Sequence, residues 1–577
     1  MIADIPADVK SALRWIEDLP VADMGETASK VFHYLYDLNQ SPLHPKIRLQ
    51  ILESLQPTCK LLNESLSEVY VHSPLKYSHK LQSASELVHA LASEQVFGFN
   101  AVIEDLAGDP QLAEKYHKTI FPAACANAIH GQGLIQLQRY QLYKSIGSKL
   151  WRQQNIIYKL AEQHGFLDQK LKKGTSDLGS IKKQLLINLA LSLTNPYQMK
   201  HGQANDAYAA LLELADFVEL TTSINSQTLF AYTPDSEIPP QPSNAIDQKA
   251  HKWFGIDLSK VIEMLEKSMM QSGGGFLSMF KKTVEIELDD ELKNHILTNW
   301  NTIKTRNFIR VNSDQSTQVA IGMAASHHFL IEKHGEQLHE RFYGKKKPAF
   351  QSKLEESSLQ LQHEDDSQHS FVWNQKGSSM GGIGGIGQSK TNDDAFASIY
   401  KPRSYDEKKK QKEDHPFKEF KAKAKYEWIH GIVKDVSPAG FCLAFEQAPS
   451  QHTESNELIT IKNMKNGQEQ YNLGLIRWNR WRSDDIFLIG IELISPQATP
   501  IRATLDWDYA KPAYHHNGLL LPDMPNAGID ASIILPPLGY RSGQIVAIMT
   551  PEQEYKIELQ KKIIETDNFI QFQYQPK

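Results

Sequence analysis

Between Tyr426 and Pro496 the chain alternates short runs of β-branched and aromatic residues with polar breaks. The opening run is Tyr426-Glu-Trp-Ile-His-Gly-Ile-Val-Lys-Asp435-Val-Ser437-Pro-Ala-Gly440-Phe-Cys-Leu-Ala-Phe445. The closing runs are Asn472-Leu-Gly474-Leu-Ile-Arg477-Trp478 and Ile486-Phe-Leu-Ile-Gly490-Ile-Glu492-Leu-Ile494. Segments of this composition read as short strands, which must pair and bury a face, so a small barrel or sandwich is expected. Asp435 and Ser437 lie two apart and share one face of an extended chain. Gly440 lets the chain turn sharply, or lets another group come close to its backbone. A carboxylate, a hydroxyl and bare backbone at a barrel lip predict a ligand edge.

These residues resemble a PilZ domain, a bacterial receptor module for cyclic di-GMP. The family's Asp/Asn-x-Ser-x-x-Gly motif is matched by Asp435, Ser437 and Gly440. Its closing pattern is matched by Gly474, Arg477-Trp478 and Gly490-Ile-Glu492. The resemblance implies that Asp435 and Ser437 hydrogen-bond a guanine, that Gly440 permits close approach, and that cations meet the phosphates. Lys421, Lys425 and Arg477 are the cations it points to. The family also carries Arg-x-x-x-Arg just ahead of the barrel, where planar guanidinium forks suit bases and phosphates. Here the lead-in from Lys401 to Lys425 holds a single arginine, Arg403, and Lys421-x-x-x-Lys425 keeps only the spacing. Arg306-Asn-Phe-Ile-Arg310 does satisfy the pattern, about 125 residues before Asp435. Either domain packing brings Arg306 and Arg310 to the barrel lip, or they face solvent on a strand edge; the second is the simpler reading.

The rest of the chain predicts a multidomain α+β protein. Residues 1–220 read as a helical bundle: Ile47, Leu49, Ile51, Leu52, Leu55, Leu62 and Leu66 recur mostly at three- and four-residue steps, with Pro57 expected to kink or split the run. Further amphipathic runs extend to about residue 219, and stacked antiparallel helices bury so many short apolar faces most simply. Trp151, Tyr158 and Ala161 have tetratricopeptide-like spacing, but no 34-residue recurrence flanks them, so core aromatics of a bundle are the expectation. Residues 221–345 read as a mixed α/β unit, with helices at 257–270 and 289–304 and hairpin character across Phe308–Val311 and Thr317–Gly322. The order Asn195-Pro196-Tyr197, Asn307-Phe-Ile-Arg310 and Val319–Gly322 resembles long bacterial PilZ proteins with helical N-terminal regions. Residues 346–425 lose apolar periodicity and read as a flexible, lysine-rich linker able to draw in a doubly anionic ligand. Within it Gly382-Ile-Gly-Gly-Ile-Gly387 has the dinucleotide-loop spacing without the strand and helix that loop needs. The PilZ-like barrel is placed at 426–497, and five strand-like runs after residue 517 predict a further β domain at 498–577.

Function classes narrow accordingly. No apolar run reaches membrane-spanning length, and Met1-Ile-Ala-Asp-Ile-Pro-Ala-Asp lacks signal-peptide character. Three scattered cysteines, Cys59, Cys125 and Cys442, suit a reducing cytoplasm. A net charge of −6 disfavours general nucleic-acid coating, although Arg477-Trp478-Asn-Arg480-Trp481-Arg482 interleaves rings and cations as stacking platforms do. His327, His328, His334 and His339 fit no metal-binding helix face, and a surface turn is the expected setting. No nucleophile elbow, P-loop or zinc-protease helix is present, so no enzyme is expected and no cofactor. Two readings remain. One is a cyclic di-GMP receptor coupled through its helical region to a protein partner, with an output in motility, type IV pilus function or surface attachment and biofilm. The other is a scaffold that has lost its ligand.

Overall fold

A computed structural model describes residues 8–71, 79–171, 178–271, 286–303, 308–343, 426–449, 453–465, 467–483, 485–505, 515–524 and 529–577. The N-terminal part is helical: α1 (Val9–Glu17), α2 (Met24–Gln40), α3 (Pro45–Val71), α4 (His79–Gly108), α5 (Pro110–Tyr116), α6 (Ile120–Gln141), α7 (Ser148–Gln163), α8 (Ile181–Leu193) and α9 (Gln203–Leu214). Asp8, Asp23, Asp109 and Ser180 cap α1, α2, α5 and α8 by accepting from first-turn N–H groups. α3 runs unbroken through Pro57, because its apolar face is buried on both sides of the proline. Trp151, Tyr158 and Ala161 of α7 are core residues of this bundle.

Residues 221–345 divide between two cores. A small sheet of β1 (Glu219–Thr221), β2 (Phe230–Tyr232), β3 (Gln241–Pro242) and β4 (Phe254–Asp257), with α10 (Ser259–Gln271) and α11 (Asp290–Asn301), shares the apolar core of the helical bundle through Tyr232, Ile256, Val261 and Trp300. The second half feeds the barrel. β5 (Val311–Asn312) and β6 (Ser316–Ile321) do not form the expected hairpin: both run antiparallel along one edge of β7 (Ile429–Ser437), with a one-residue register shift between them. Asn312-Ser313-Asp314 has turn composition but only interrupts the strand, because Ser313 N–H still donates to Lys434 O and Val433 N–H to Gln315 O.

The remaining barrel strands are β8 (Gly440–Phe445), β9 (Leu458–Lys465), β10 (Gln468–Ser483) and β11 (Ile486–Ser495). The sheet runs β5-β7-β6-β9-β10-β11-β8, and a β7–β8 pairing closes it. Closure therefore needs β6, a strand that precedes the expected start of the barrel by more than 100 residues. Val319, Val433, Leu443, Ile459, Ile476, Phe487, Ile489 and Ile491 fill the interior. A second, closed barrel follows, ordered β12 (Thr499–Leu505), β13 (His516–Leu521), β14 (Ser532–Leu535), β17 (Ile570–Pro576), β16 (Glu554–Glu565), β15 (Ile545–Met549). Leu458, Leu473, Leu475, Leu519, Leu521, Ile534 and Phe569 form an apolar seam between the two barrels.

The four histidines lie on α12 (Met323–His334) and α13 (Glu336–Tyr343), not in a turn. His327 is buried and hydrogen-bonds the Ile501 carbonyl at 3.0 Å, and burial pushes its pKa down to about 4. It is a neutral structural contact between α12 and the second barrel.

Candidate functional site

Whether Asp435 meets solvent is decided by one extra residue. Val433 pairs with Leu443, and both point into the barrel. Strict alternation would aim Asp435 inward as well. A register shift at Lys434 makes Asp435 the partner of Cys442 instead, so its side chain emerges on the outer face. Ser437 lies opposite Gly440 across a two-residue turn, Pro438-Ala439. Cys442 in turn pairs with Gly490, and Gly440 with Glu492. Directly opposed residues share a face, which places two rows on the outside of the barrel. One is Asp435, Cys442 and Gly490; the other is Ser437, Gly440 and Glu492.

The two glycines of this face serve packing within the barrel wall, and Gly440 is buried rather than bare to solvent as the sequence suggests. A Cβ on Gly440 would lie 1.9 Å from the Ile491 carbonyl oxygen, so β8 and β11 approach closely only because it is absent. A Cβ on Gly490 would meet Nε1 of Trp478 at 1.9 Å, so the indole lies across bare backbone. A second register shift, around Arg477, turns Trp478 outward beside Cys442, Ala444 and Leu488, while Trp481 stays in the barrel core. The interleaved Arg477–Arg482 run is thus split between two packing sites, and its two tryptophans form no continuous stacking platform.

Arg310 reaches this face. Its Nη1 donates to Asp435 Oδ1 at 2.8 Å, with side-chain exposures of 34% and 22%. The cause is the register of β5: Asn312 pairs with Asp435 and Val311 with Val436, so the residue just before β5 falls at the end of β7. Both sequence alternatives meet at Arg310: it is exposed beside the edge strand β5, and it also reaches Asp435 at the barrel lip. Phe308, Ile309 and Val311 flank it and are exposed. Lys434 pairs with Asp314 at 2.8 Å. Cys442 is pushed up to about 11 by burial and by the neighbouring Asp435, against the pull of Arg310, Arg480 and Lys434. Lys434 is a further cation near this face that the sequence analysis does not single out.

Arg477 is committed elsewhere. Its Nε donates to Glu492 Oε2 at 2.6 Å and its Nη1 to Asn456 Oδ1 at 2.7 Å. Arg306, Arg403, Lys421 and Lys425 lie outside the described residues, as do Gly382–Gly387 and the linker at 346–425.

The opposite end of β10 is spliced to the helical bundle. Trp481 N–H donates to Tyr143 O at 2.8 Å, and Ser145 Oγ donates to Trp481 O at 2.7 Å. Tyr143 has a left-handed backbone (φ 53°) and is 2% exposed among barrel core residues. Its hydroxyl donates to Met199 O at 2.8 Å. Arg480 lies over the Tyr197 ring, and Lys200 bridges Glu291 and Asp567 at 2.7 and 2.8 Å. The helical bundle, the first barrel and the second barrel meet at this joint.

Among the described residues, no helix is long and apolar enough to cross a membrane. Comparison with known proteins matches the same three-part layout. Residues 10–226 match the N-terminal domain of the cyclic-di-GMP receptor FimW, residues 229–500 its middle PilZ domain, and residues 510–576 its C-terminal β-barrel domain. The middle match spans both Arg310 and Asp435. The cyclic-di-GMP receptor FimW of Pseudomonas aeruginosa is 23% identical over 578 residues, covering 99% of this chain and 90% of that protein. No solved structure matches. The chain belongs to the long PilZ proteins, in which a PilZ domain stands between a helical N-terminal region and a C-terminal β-barrel.

Proposed function

We propose that the chain is a cyclic di-GMP receptor whose ligand seats on the outer face of β7, β8 and β11. Asp435 and Ser437 hydrogen-bond a guanine, Gly440 holds β8 close against β11 beneath the ligand, and Arg310 supplies the guanidinium that the lead-in lacks. The observation that carries this reading is Arg310 beside Asp435. It brings Arg310 to the Asp-x-Ser-x-x-Gly motif in one surface, although 125 residues separate the two side chains in sequence. A partly exposed ion pair of this kind contributes only about 1 kcal/mol or less to stability, so Arg310 is readily exchanged from a carboxylate to a phosphate. The relative's name supports the same ligand. Lys421, Lys425, Arg306 and Arg403 remain part of the proposal as additional phosphate contacts.

The receptor acts in the cytoplasm, without a cofactor or catalytic step, and passes its state to a protein partner through the helical region. Motility, type IV pilus function and surface attachment are the proposed outputs. Buried free thiols at Cys59, Cys125 and Cys442 are compatible with a reducing compartment. The scaffold alternative rested on the missing arginine pair, and the position of Arg310 weighs against it. Calorimetric titration with cyclic di-GMP tests the reading: binding that is lost in Asp435→Ala and Ser437→Ala supports it. Absence of heat at high micromolar ligand returns the scaffold.

A further inference from the structure

We propose that Arg477 serves the ligand face as a charge mask for Glu492, and is a positioning residue rather than a ligand-contacting one. This inference rests on the cyclic di-GMP reading above. Glu492 lies directly opposite Gly440, in the row that begins at Ser437, and its side chain is 54% exposed. An unneutralised carboxylate there would stand within one or two strand spacings, roughly 5–10 Å, of anything resting on Gly440. Cyclic di-GMP carries two phosphodiester charges, so that carboxylate would repel it.

Arg477 removes the difficulty by its position. It sits at the register shift of β10, between Ile476 and Trp478, and so lies alongside β11 on the outer face. Its guanidinium is held from two sides, by Glu492 at 2.6 Å and by Asn456 at 2.7 Å. Asn456 is itself fixed: its backbone is left-handed (φ 67°) and its N–H donates to Ile476 O at 2.7 Å. Among the described residues, Arg477 is the cation paired with Glu492. A guanidinium with two of its edges engaged is poorly placed to grip phosphate, but well placed to keep a carboxylate neutralised and turned towards β10.

Neutralisation at this range makes a specific demand on a set of variants of the full-length chain, titrated with cyclic di-GMP at low and high salt. Arg477→Gln leaves Glu492 bare and is expected to weaken binding about tenfold at low salt, or about 1.4 kcal/mol. The loss shrinks at high salt, where exposed charges are screened. Glu492→Gln binds at least as tightly as the unsubstituted chain, and Arg477→Gln with Glu492→Gln returns to within about threefold of it. Arg477→Lys keeps the charge without the fork and stays within about threefold, which covers the case of Arg477→Gln failing to fold. A double variant as weak as Arg477→Gln would mean that Arg477 touches the ligand itself, and would overturn the inference. Unchanged affinity in Arg477→Gln would overturn it too. Either result leaves the receptor standing, whereas no binding by the unsubstituted chain removes the receptor and the mask together.

Discussion

Substituting Gly440 with alanine puts the geometry of the ligand face under direct load. The new Cβ would lie 1.9 Å from the Ile491 carbonyl oxygen and 3.0 Å from its carbon, and both are backbone atoms that no rotamer can move. A comfortable carbon–oxygen contact is about 3.3 Å or more, so β8 and β11 must part by more than about 1 Å. The hydrogen bond from Leu493 N–H to Ala439 O, 2.9 Å long, lies beside this contact and is lost or stretched. Overpacking of this kind costs about 1–3 kcal/mol and the hydrogen bond about 1 kcal/mol, for a total of about 2–4 kcal/mol. Gly467 is the control. It has φ +77° and open space around it, so Gly467→Ala carries only the left-handed backbone penalty of about 1–2 kcal/mol. Urea unfolding followed by tryptophan fluorescence compares the two, and titration with cyclic di-GMP reports the face itself. Gly440→Ala should lose more stability than Gly467→Ala and should bind at least about tenfold more weakly, while Gly467→Ala binds normally. Equal or smaller damage at Gly440 would refute the close-approach argument.

Other outcomes follow from the joint between the modules. Tyr143→Ala removes a fully buried ring from the barrel core and is expected to cost about 3–5 kcal/mol, with faster hydrogen exchange at the Trp481 end of β10; an unchanged exchange pattern would show that the splice bears no load. Glu457 is buried beside Asn568, and burial pushes its carboxyl up to about 7 from 4.5. The folded chain then binds the extra proton between those values, so stability falls as pH rises through that window, by up to about 3 kcal/mol between pH 5 and pH 8. Glu457→Gln should flatten that part of the melting-temperature profile, and a slope identical to the unsubstituted chain would contradict it. His327 works in the opposite direction. Its neutral, buried ring resists protonation, so this contact weakens as pH falls from about 6.5 towards 4, and His327→Gln should reduce the loss of second-barrel stability in that range.

Much of this architecture was legible because its signals are local. The three- and four-residue apolar steps give the helical region, and Asp435, Ser437 and Gly440 declare themselves within six residues. What was not legible depends on pairing between distant segments. Arg310 joins Asp435 only because β5 and β6 return to β7 across the 346–425 stretch, and no local pattern near either residue encodes that register. Asn312-Ser313-Asp314 imitates a hairpin turn, yet the neighbouring backbone hydrogen bonds carry the strand past it. β12 was missed because its run opens on Thr499-Pro500 and mixes Arg502 and Thr504 among its apolar residues. The outward aim of Asp435 and Trp478 comes from single-residue register shifts, which period-two patterns cannot locate. Arg477 illustrates a further limit: the motif position was visible, whereas its clamp by Glu492 and Asn456 needs two strands and a loop in place.

The most direct test of the account is calorimetric titration of the full-length chain and of Arg310→Ala with cyclic di-GMP under the same conditions. A charge-assisted contact of about 1.5–3 kcal/mol should be lost, so Arg310→Ala should bind about tenfold to a hundredfold more weakly with its melting temperature nearly unchanged. Equal affinity in the two proteins, or no heat from either, would contradict the claim that β5 delivers Arg310 to a ligand face built on Asp435.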